Sequence, residues 1–320
     1  LMEMIRTLLF YLSKGARIIR LDAIAYLWKE EGTSCIHLPE THEAVKLMRT
    51  VAEAYDQGSI ILTETNVPNL ENLSYFGQGD EAHMIYQFSL PPLLLHALWS
   101  GNAAYLRDWS ASLHDILPEC TYFNFTASHD GIGVRPLEGL LPQEELDELV
   151  EYTRKAGGLV STHRKADGTD GPYELNITYF SAIKETREGP DEYQMDRFLC
   201  SQTIMMAMKG IPAFYIHSLL ATENDHEGME QTGRARSINR KKMDEEEVRK
   251  LLASPTSQQK VFRELKRRIQ VRKEQSAFHP DAAFEVLDLD PRLFAVLRGR
   301  GSRSIVAVSN VTPSSVPVSI

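Results

Sequence analysis

"RIIRLDAIAY", residues 17–26, reads as a buried aliphatic strand interrupted by two charges, Arg20 and Asp22. Two residues apart on a strand, they share one face. Unpaired charges in such a setting cost desolvation energy, so the pair calls for a use. The same pattern recurs downstream: "SIILTET" (59–65) is a strand closing on Glu64, "AHMIYQFS" (82–89) a third, "TYFNFTAS" (121–128) a fourth running into His129 and Asp130, and "IPAFYIH" (211–217) a fifth. Helical stretches separate them. "HEAVKLMRTVAEAYDQG" (42–58) is amphipathic and stops at Gly58; an apolar helix follows Pro92; "PQEELDELVEYTRKAGG" (142–158) is acidic at its start and basic at its end; "RFLCSQTIMMAMKG" (197–210) carries core spacing. The chain opens with a further helix, "LMEMIRTLLFYLSKG" (1–15), with Met4, Ile5, Leu8, Leu9 and Leu12 at helical spacing and a stop at Gly15. Strands separated by helices imply a parallel α/β sheet, either a barrel or a doubly wound sheet. Over 281–311 the period becomes two with no helices between, and a small antiparallel β domain is expected over 281–320.

The composition narrows the function. The chain has 320 residues, 42% hydrophobic and 25% charged, with a net charge of -9. That balance argues against a general nucleic-acid binder, which needs a basic surface, and favours small-molecule partners. Three scattered cysteines (Cys35, Cys120, Cys200) provide neither a disulfide framework nor a zinc motif, and point to a reducing compartment, read as the cytoplasm. The longest apolar run, "LPPLLLHALW" (90–99), is too short to span a bilayer. Leu1 lies inside a helix pattern and Ile320 inside the alternating "VPVSI", so a fragment of a longer protein is expected.

Asp22, Glu64 and Asp130 sit at or just beyond the C-terminal ends of three strands. In a parallel barrel those ends share one mouth, where active sites are built. Two carboxylates at one bond suffice for retaining glycosyl transfer, one as nucleophile and one as acid/base. A guanidinium beside the nucleophile, here Arg20, keeps it ionised. Any one of these acids alone would more often be a helix N-cap. Three together, with an arginine and a histidine alongside, shift the balance toward catalysis.

"RIIRLDAIAY", "IILTETNV" and "FTASHDGIGV" resemble, in order, three conserved regions of the α-amylase family, glycoside hydrolase family 13. "SHDGIGVRPLEGLLP", "GPYELNITYFSAI", "GIPAFYIHSLLATEND" and "RARSINRKK" are similar to its sucrose-phosphorylase-like subfamily, and "YLWKEEGTSCIHLPETHE" with "DGTDGPYELNITYF" resembles glucosylglycerate phosphorylases most. The resemblance implies the C-terminal portion of a (β/α)8 barrel over 1–280, about five of eight strands, with a loop-rich excursion at about 131–196. The family's first conserved region would precede residue 1, so this stretch alone is expected to be unstable and inactive, with unpaired strand edges. By the same resemblance Asp22 is the nucleophile, Glu64 the general acid/base and Asp130 the stabiliser of the distorted sugar. Arg20 orients Asp22, and His129 bonds the glucosyl unit. Arg236 matches an acceptor-loop Arg of the subfamily and Tyr173 a Tyr on the mobile loop after the fourth strand, Arg236 the better candidate for gripping phosphate. Arg240 reads equally as a surface residue, and Glu174 and Asn176 as loop-shaping ones. Asn66 stands where sucrose phosphorylases tend to carry His, which weighs against a fructosyl acceptor. The implied partners are a small sugar substrate and inorganic phosphate, with no cofactor, metal, nucleic acid or membrane. His37 and His42 lack HExxH spacing and read as surface or packing residues. The basic run "KRRIQVRK" (266–273) reads as one face of a packed helix, and "KKMDEEEVRK" (241–250) as a solvated one.

Overall fold

The computed structural model describes residues 1–113, 116–164 and 168–319; Asp167 and Ile320, which belong to quoted stretches above, lie outside the described residues. The chain divides into two compact units, Leu1–Phe88 with His114–Phe123, and Ser89–Leu113 with Asn124–Ile320.

The first unit is built on strands β1 (Ile18–Leu21), β2 (Ile60–Thr63), β3 (Met84–Tyr86) and β4 (Thr121–Asn124, whose last residue belongs to the second unit). All three pairings are parallel, with Leu21 opposite Thr63, Thr63 opposite Ile85, and Tyr86 opposite Phe123. Parallel neighbours need a crossover, and the helix Pro39–Tyr55 provides the first. Its proline sits in the first turn, where the missing N–H costs nothing, and Ala44, Val45, Met48 and Ala52 form its buried stripe. Met48 and Ala52 pack with Ile61 of β2 and with Ile5, Leu8 and Leu12 of the helix Met2–Ser13, in agreement with the spacing in the sequence. β1 departs from the expected buried strand: Ile18 is exposed and the other three residues are only partly buried. Its pairing explains this, since among the described residues β1 pairs with β2 on one side only.

In the second unit the helix Leu90–Ser100 is buried over Leu90–Trp99. It starts three residues earlier than expected because Pro91 and Pro92 fit its first turn, and Gly101 ends it at φ +70°. Strands β5 (Ile132–Gly133), β6 (Leu159–Arg164) and β7 (Asp170–Asn176) form an antiparallel sheet in the order β5-β7-β6, and β8 (Glu185–Thr186) pairs with β9 (Gly189–Pro190). Helices Gln143–Lys155 and Gln194–Ala207 lie close to the expected ranges. β10 (Ile211–Pro212) is shorter than predicted, because the chain leaves the strand and enters the helix Ile216–Leu219. The Ala213 N–H donates to the Asn124 carbonyl at 2.7 Å. The expected α/β architecture is thus present.

The run at 281–311 forms three antiparallel strands, β11 (Phe284–Leu287), β12 (Leu293–Arg298) and β13 (Ile305–Asn310). "VPVS" (316–319) is not a strand, contrary to its alternation. The Asn310 side chain bends the chain first, accepting from the Thr312 N–H at 2.9 Å and donating to the Ser314 carbonyl at 2.7 Å. Pro313 and Pro317 also lack the N–H a ladder needs. Among the described residues no helix is long and apolar enough to cross a membrane.

Candidate active site

In the first unit the charges sit where β1 and β2 end. Arg20 is the hub: its Nη1 meets Asp22 Oδ2 at 2.6 Å, its Nη2 faces Glu64 Oε1 at 3.8 Å, and its Nε donates to the Tyr86 hydroxyl at 3.0 Å. The guanidinium also lies over the Tyr86 ring, 5.5 Å from its centroid. The two carboxylates differ in setting, since the Asp22 side chain is 69% exposed and that of Glu64 only 12%. Ala23 turns the chain in the left-handed region, φ 49°, and its N–H donates to Glu64 Oε2 at 2.9 Å. Glu64 thereby holds the backbone turn after Asp22. Burial works against the charge on Arg20, but the bond to Asp22 and the negative potential of Tyr86, Glu64 and Asp22 hold its pKa above the ordinary value. Burial pushes the Tyr86 phenol up, against the pull of Arg20.

Tyr86 was not singled out from the sequence. Its place as the last residue of β3, at the same sheet edge as Asp22 and Glu64, emerges only from the structure, because the expected strand runs on to Ser89. Asn72 is another such residue. Its Nδ2 donates to the Tyr86 carbonyl at 2.8 Å, and its Oδ1 accepts from the Thr65 hydroxyl at 2.6 Å, tying the segment after β2 to the end of β3. Asn66 lies in that segment, with its Oδ1 buried and lacking a hydrogen-bond partner among the described residues.

The second unit holds His129, Asp130, Arg236 and Tyr173. Asp130 Oδ1 takes Arg236 Nη1 at 2.7 Å and Arg240 Nη2 at 3.0 Å, and its Oδ2 lies 3.5 Å from His129 Nε2. Arg240 Nε also donates to the His129 carbonyl, so Arg240 braces this loop. The other two nitrogens of Arg236 grip Glu174 in a fork, Nε to Oε2 at 2.9 Å and Nη2 to Oε1 at 3.0 Å. Burial opposes the Arg236 charge, and the Glu174 bond with the charges of Glu174, Asp130 and Tyr173 raises its pKa despite that. Glu174 is buried on β7, pressed against Gly131, where a Cβ would stand 2.5 Å from Glu174 Cγ. Only glycine allows that approach. Asn239 Nδ2 donates to the Asp130 carbonyl at 2.7 Å, and the Tyr215 hydroxyl donates to the Asn239 carbonyl at 3.0 Å. Tyr173 precedes Glu174, its ring centroid 6.0 Å from that of His163. Asn239 and Tyr215 lie within the quoted stretches "RARSINRKK" and "GIPAFYIHSLLATEND", but neither was singled out from the sequence.

No protein-family profile matches the chain. It is 44% identical over its whole length to the glucosylglycerate phosphorylase of Escherichia coli, covering 58% of that protein, and 48% identical over 93% of its length to that of Spirochaeta thermophila, covering 51%. Its fold superposes over 96% of the chain, with a TM-score of 0.81 and 25% identity, on 58% of the crystal structure of sucrose 6F-phosphate phosphorylase from Thermoanaerobacter thermosaccharolyticum. The chain belongs to the sucrose-phosphorylase-like branch of the α-amylase family. It spans little more than half the length of the family members it matches.

Other clusters in this family member have structural partners. His42 Nδ1 meets Glu81 at 2.7 Å while its ring stacks on Tyr75, and His37 lies between the Tyr75 hydroxyl at 2.9 Å and Glu71 at 3.0 Å. Among the described residues no group of three or more His, Cys, Asp or Glu is placed to hold a metal ion. In the basic run, Arg272 donates to the carbonyls of Met206, Gly210 and Phe278 at 2.9, 3.0 and 2.9 Å, so it clamps loops.

Proposed function

We propose that the complete protein is a retaining glycoside phosphorylase that moves an α-glucosyl unit between glucosylglycerate and inorganic phosphate, giving α-glucose 1-phosphate. One observation carries this reading: at the ends of adjacent parallel strands a single guanidinium holds an exposed carboxylate at 2.6 Å and faces a largely buried one at 3.8 Å. The exposed one, Asp22, is placed to attack. It forms a bond to the anomeric carbon as the glycosidic bond breaks, while Glu64 gives its proton to the leaving oxygen. Phosphate then attacks the β-glucosyl ester, its proton passing to Glu64, and Asp22 leaves as the free carboxylate. Asp130 and His129 bind sugar hydroxyls and favour the oxocarbenium-like transition state. Arg20 orients Asp22. Asn66, Tyr173 and Arg236 are assigned to the acceptor side.

The names of the relatives at 44% and 48% identity support glycerate as the acceptor, as does Asn66. A second reading, a sucrose 6-phosphate phosphorylase, is favoured by the fold similarity at TM-score 0.81 and would keep the same catalytic carboxylates. The three free cysteines support a reducing compartment, and we assign the protein to the cytoplasm.

The test is phosphate release from glucose 1-phosphate by the complete protein, with D-glycerate, fructose, fructose 6-phosphate, glycerol or no acceptor. Release that depends on glycerate is expected. Release with fructose or fructose 6-phosphate alone would establish the second reading. Glucose formation without any acceptor would overturn phosphorolysis in favour of hydrolysis.

A further inference from the structure

The second unit carries an open cleft of about 710 Å³ lined by Arg234, Arg236, Arg240 and Lys242 with the hydroxyls of Ser161 and Ser237. Two of its four cations are already answered, since Arg236 pairs with Glu174 and Asp130, and Arg240 shares Asp130. The side chains of Arg234 and Lys242 make no hydrogen bond or ion pair with any described residue. Four cations against two carboxylates leave the cleft positive in a chain whose net charge is -9. Ser161 Oγ accepts from Asn176 Nδ2 at 2.8 Å and so keeps its own O–H to donate, whereas the Thr232 hydroxyl gives its proton to the Gly228 carbonyl at 2.8 Å and accepts from Ser237 Oγ at 2.7 Å. Donors thus line a concave surface from several elements, two of the guanidinium groups held in place by carboxylates. The volume falls within the range of about 300–1,000 Å³ typical of small-molecule sites. A concave surface focuses the field of its charges.

We infer that this cleft binds a small oxyanion, held by Arg234 and Lys242 with the Ser161 hydroxyl, the candidates being the carboxylate of an acceptor and free phosphate. The choice of these two ligands rests on the phosphorylase reading. The site is distinct in its residues from the Arg236 fork, which is engaged by Glu174 and Asp130.

Calorimetric titration of the complete protein without a glucosyl donor tests it, with D-glycerate, inorganic phosphate and glycerol as probes. Arg234→Ala/Lys242→Ala and the milder Arg234→Gln/Lys242→Gln are compared with the unaltered protein, and Lys250→Ala on the exposed helix Glu245–Ala253 is the control. Both double variants are expected to weaken glycerate or phosphate binding by about tenfold, with glycerol and the control unaffected. Loss for glycerate alone identifies a carboxylate site, loss for phosphate alone a phosphate site, and loss for both a shared one. Equal affinities in the unaltered protein and both double variants, or no anion binding at all, would overturn the inference. Because no turnover is read, the two proposals fail separately. Oxyanion binding through Arg234 and Lys242 in a protein that releases no phosphate from glucose 1-phosphate keeps the cleft and removes the phosphorylase. Glycerate-dependent turnover with binding unchanged in the double variants does the reverse.

Discussion

Each unit sets one guanidinium between two carboxylates, yet the two arrangements differ in how much bonding capacity remains. Arg20 holds Asp22 closely, stands off from Glu64 and leaves Asp22 open to solvent. Arg236 has all three nitrogens engaged, with a fork on buried Glu174 and Nη1 on Asp130, which also takes Arg240. The first arrangement leaves a carboxylate free to react; the second fixes one in position. On the proposed mechanism the same chemical pair serves reactivity where one partner is exposed and rigidity where one is buried.

Substitutions can break this contrast. Asp22→Ala in the complete protein should lower turnover by about 10⁴-fold or more, as loss of a nucleophile does, with the melting temperature nearly unchanged because the side chain is exposed. A large drop in melting temperature would instead make Asp22 structural. Arg20→Lys keeps the charge but loses the fork that reaches Asp22, Glu64 and Tyr86 together, and an activity loss of about 10²-fold is expected with normal folding by circular dichroism.

Glu174→Gln should act on stability more than Asp22→Ala does. It leaves the Arg236 fork half unpaired beside a buried amide, and a loss of about 1–3 kcal/mol is expected in urea unfolding, moderated because Arg236 itself is partly exposed. A loss no larger than that of Asp22→Ala would erase the distinction between the two arrangements.

The smallest expected effect is on pH dependence. Burial lowers the pKa of His83 in the first unit and of His96 and His217 in the second. The unfolded chain binds protons at these sites below about pH 6.5 while the folded chain resists them, so stability is full above that value and falls as the pH drops through it. Urea midpoints at about pH 7.5 and 5.5 should show this decline, and His96→Gln should lessen it. An unchanged slope in that variant would assign the decline to other groups.

The residues of the site that are legible in the sequence are those whose placement depends on local position alone. Arg20, Asp22 and Glu64 stand at strand ends, and a period of two puts the first pair on one face without reference to anything distant. Tyr86 and Asn72 depend on register between strands, which no local pattern encodes. Glu174 reads as a loop residue because its partners, Arg236 and the packed Gly131, are far away along the chain. The fold errors have the same origin. β1 has the composition of a buried strand but among the described residues pairs on one side only, and the alternation at 316–319 is overruled by the Asn310 turn before it.

The central claim is that Asp22 forms the glucosyl ester. It is tested by incubating the Glu64→Gln variant of the complete protein with α-glucosyl fluoride, whose leaving group needs no acid, and mapping the adduct by mass spectrometry. The account predicts one anhydroglucose unit on the peptide that carries Asp22. An adduct on another residue, or none while the fluoride is still consumed, would contradict it.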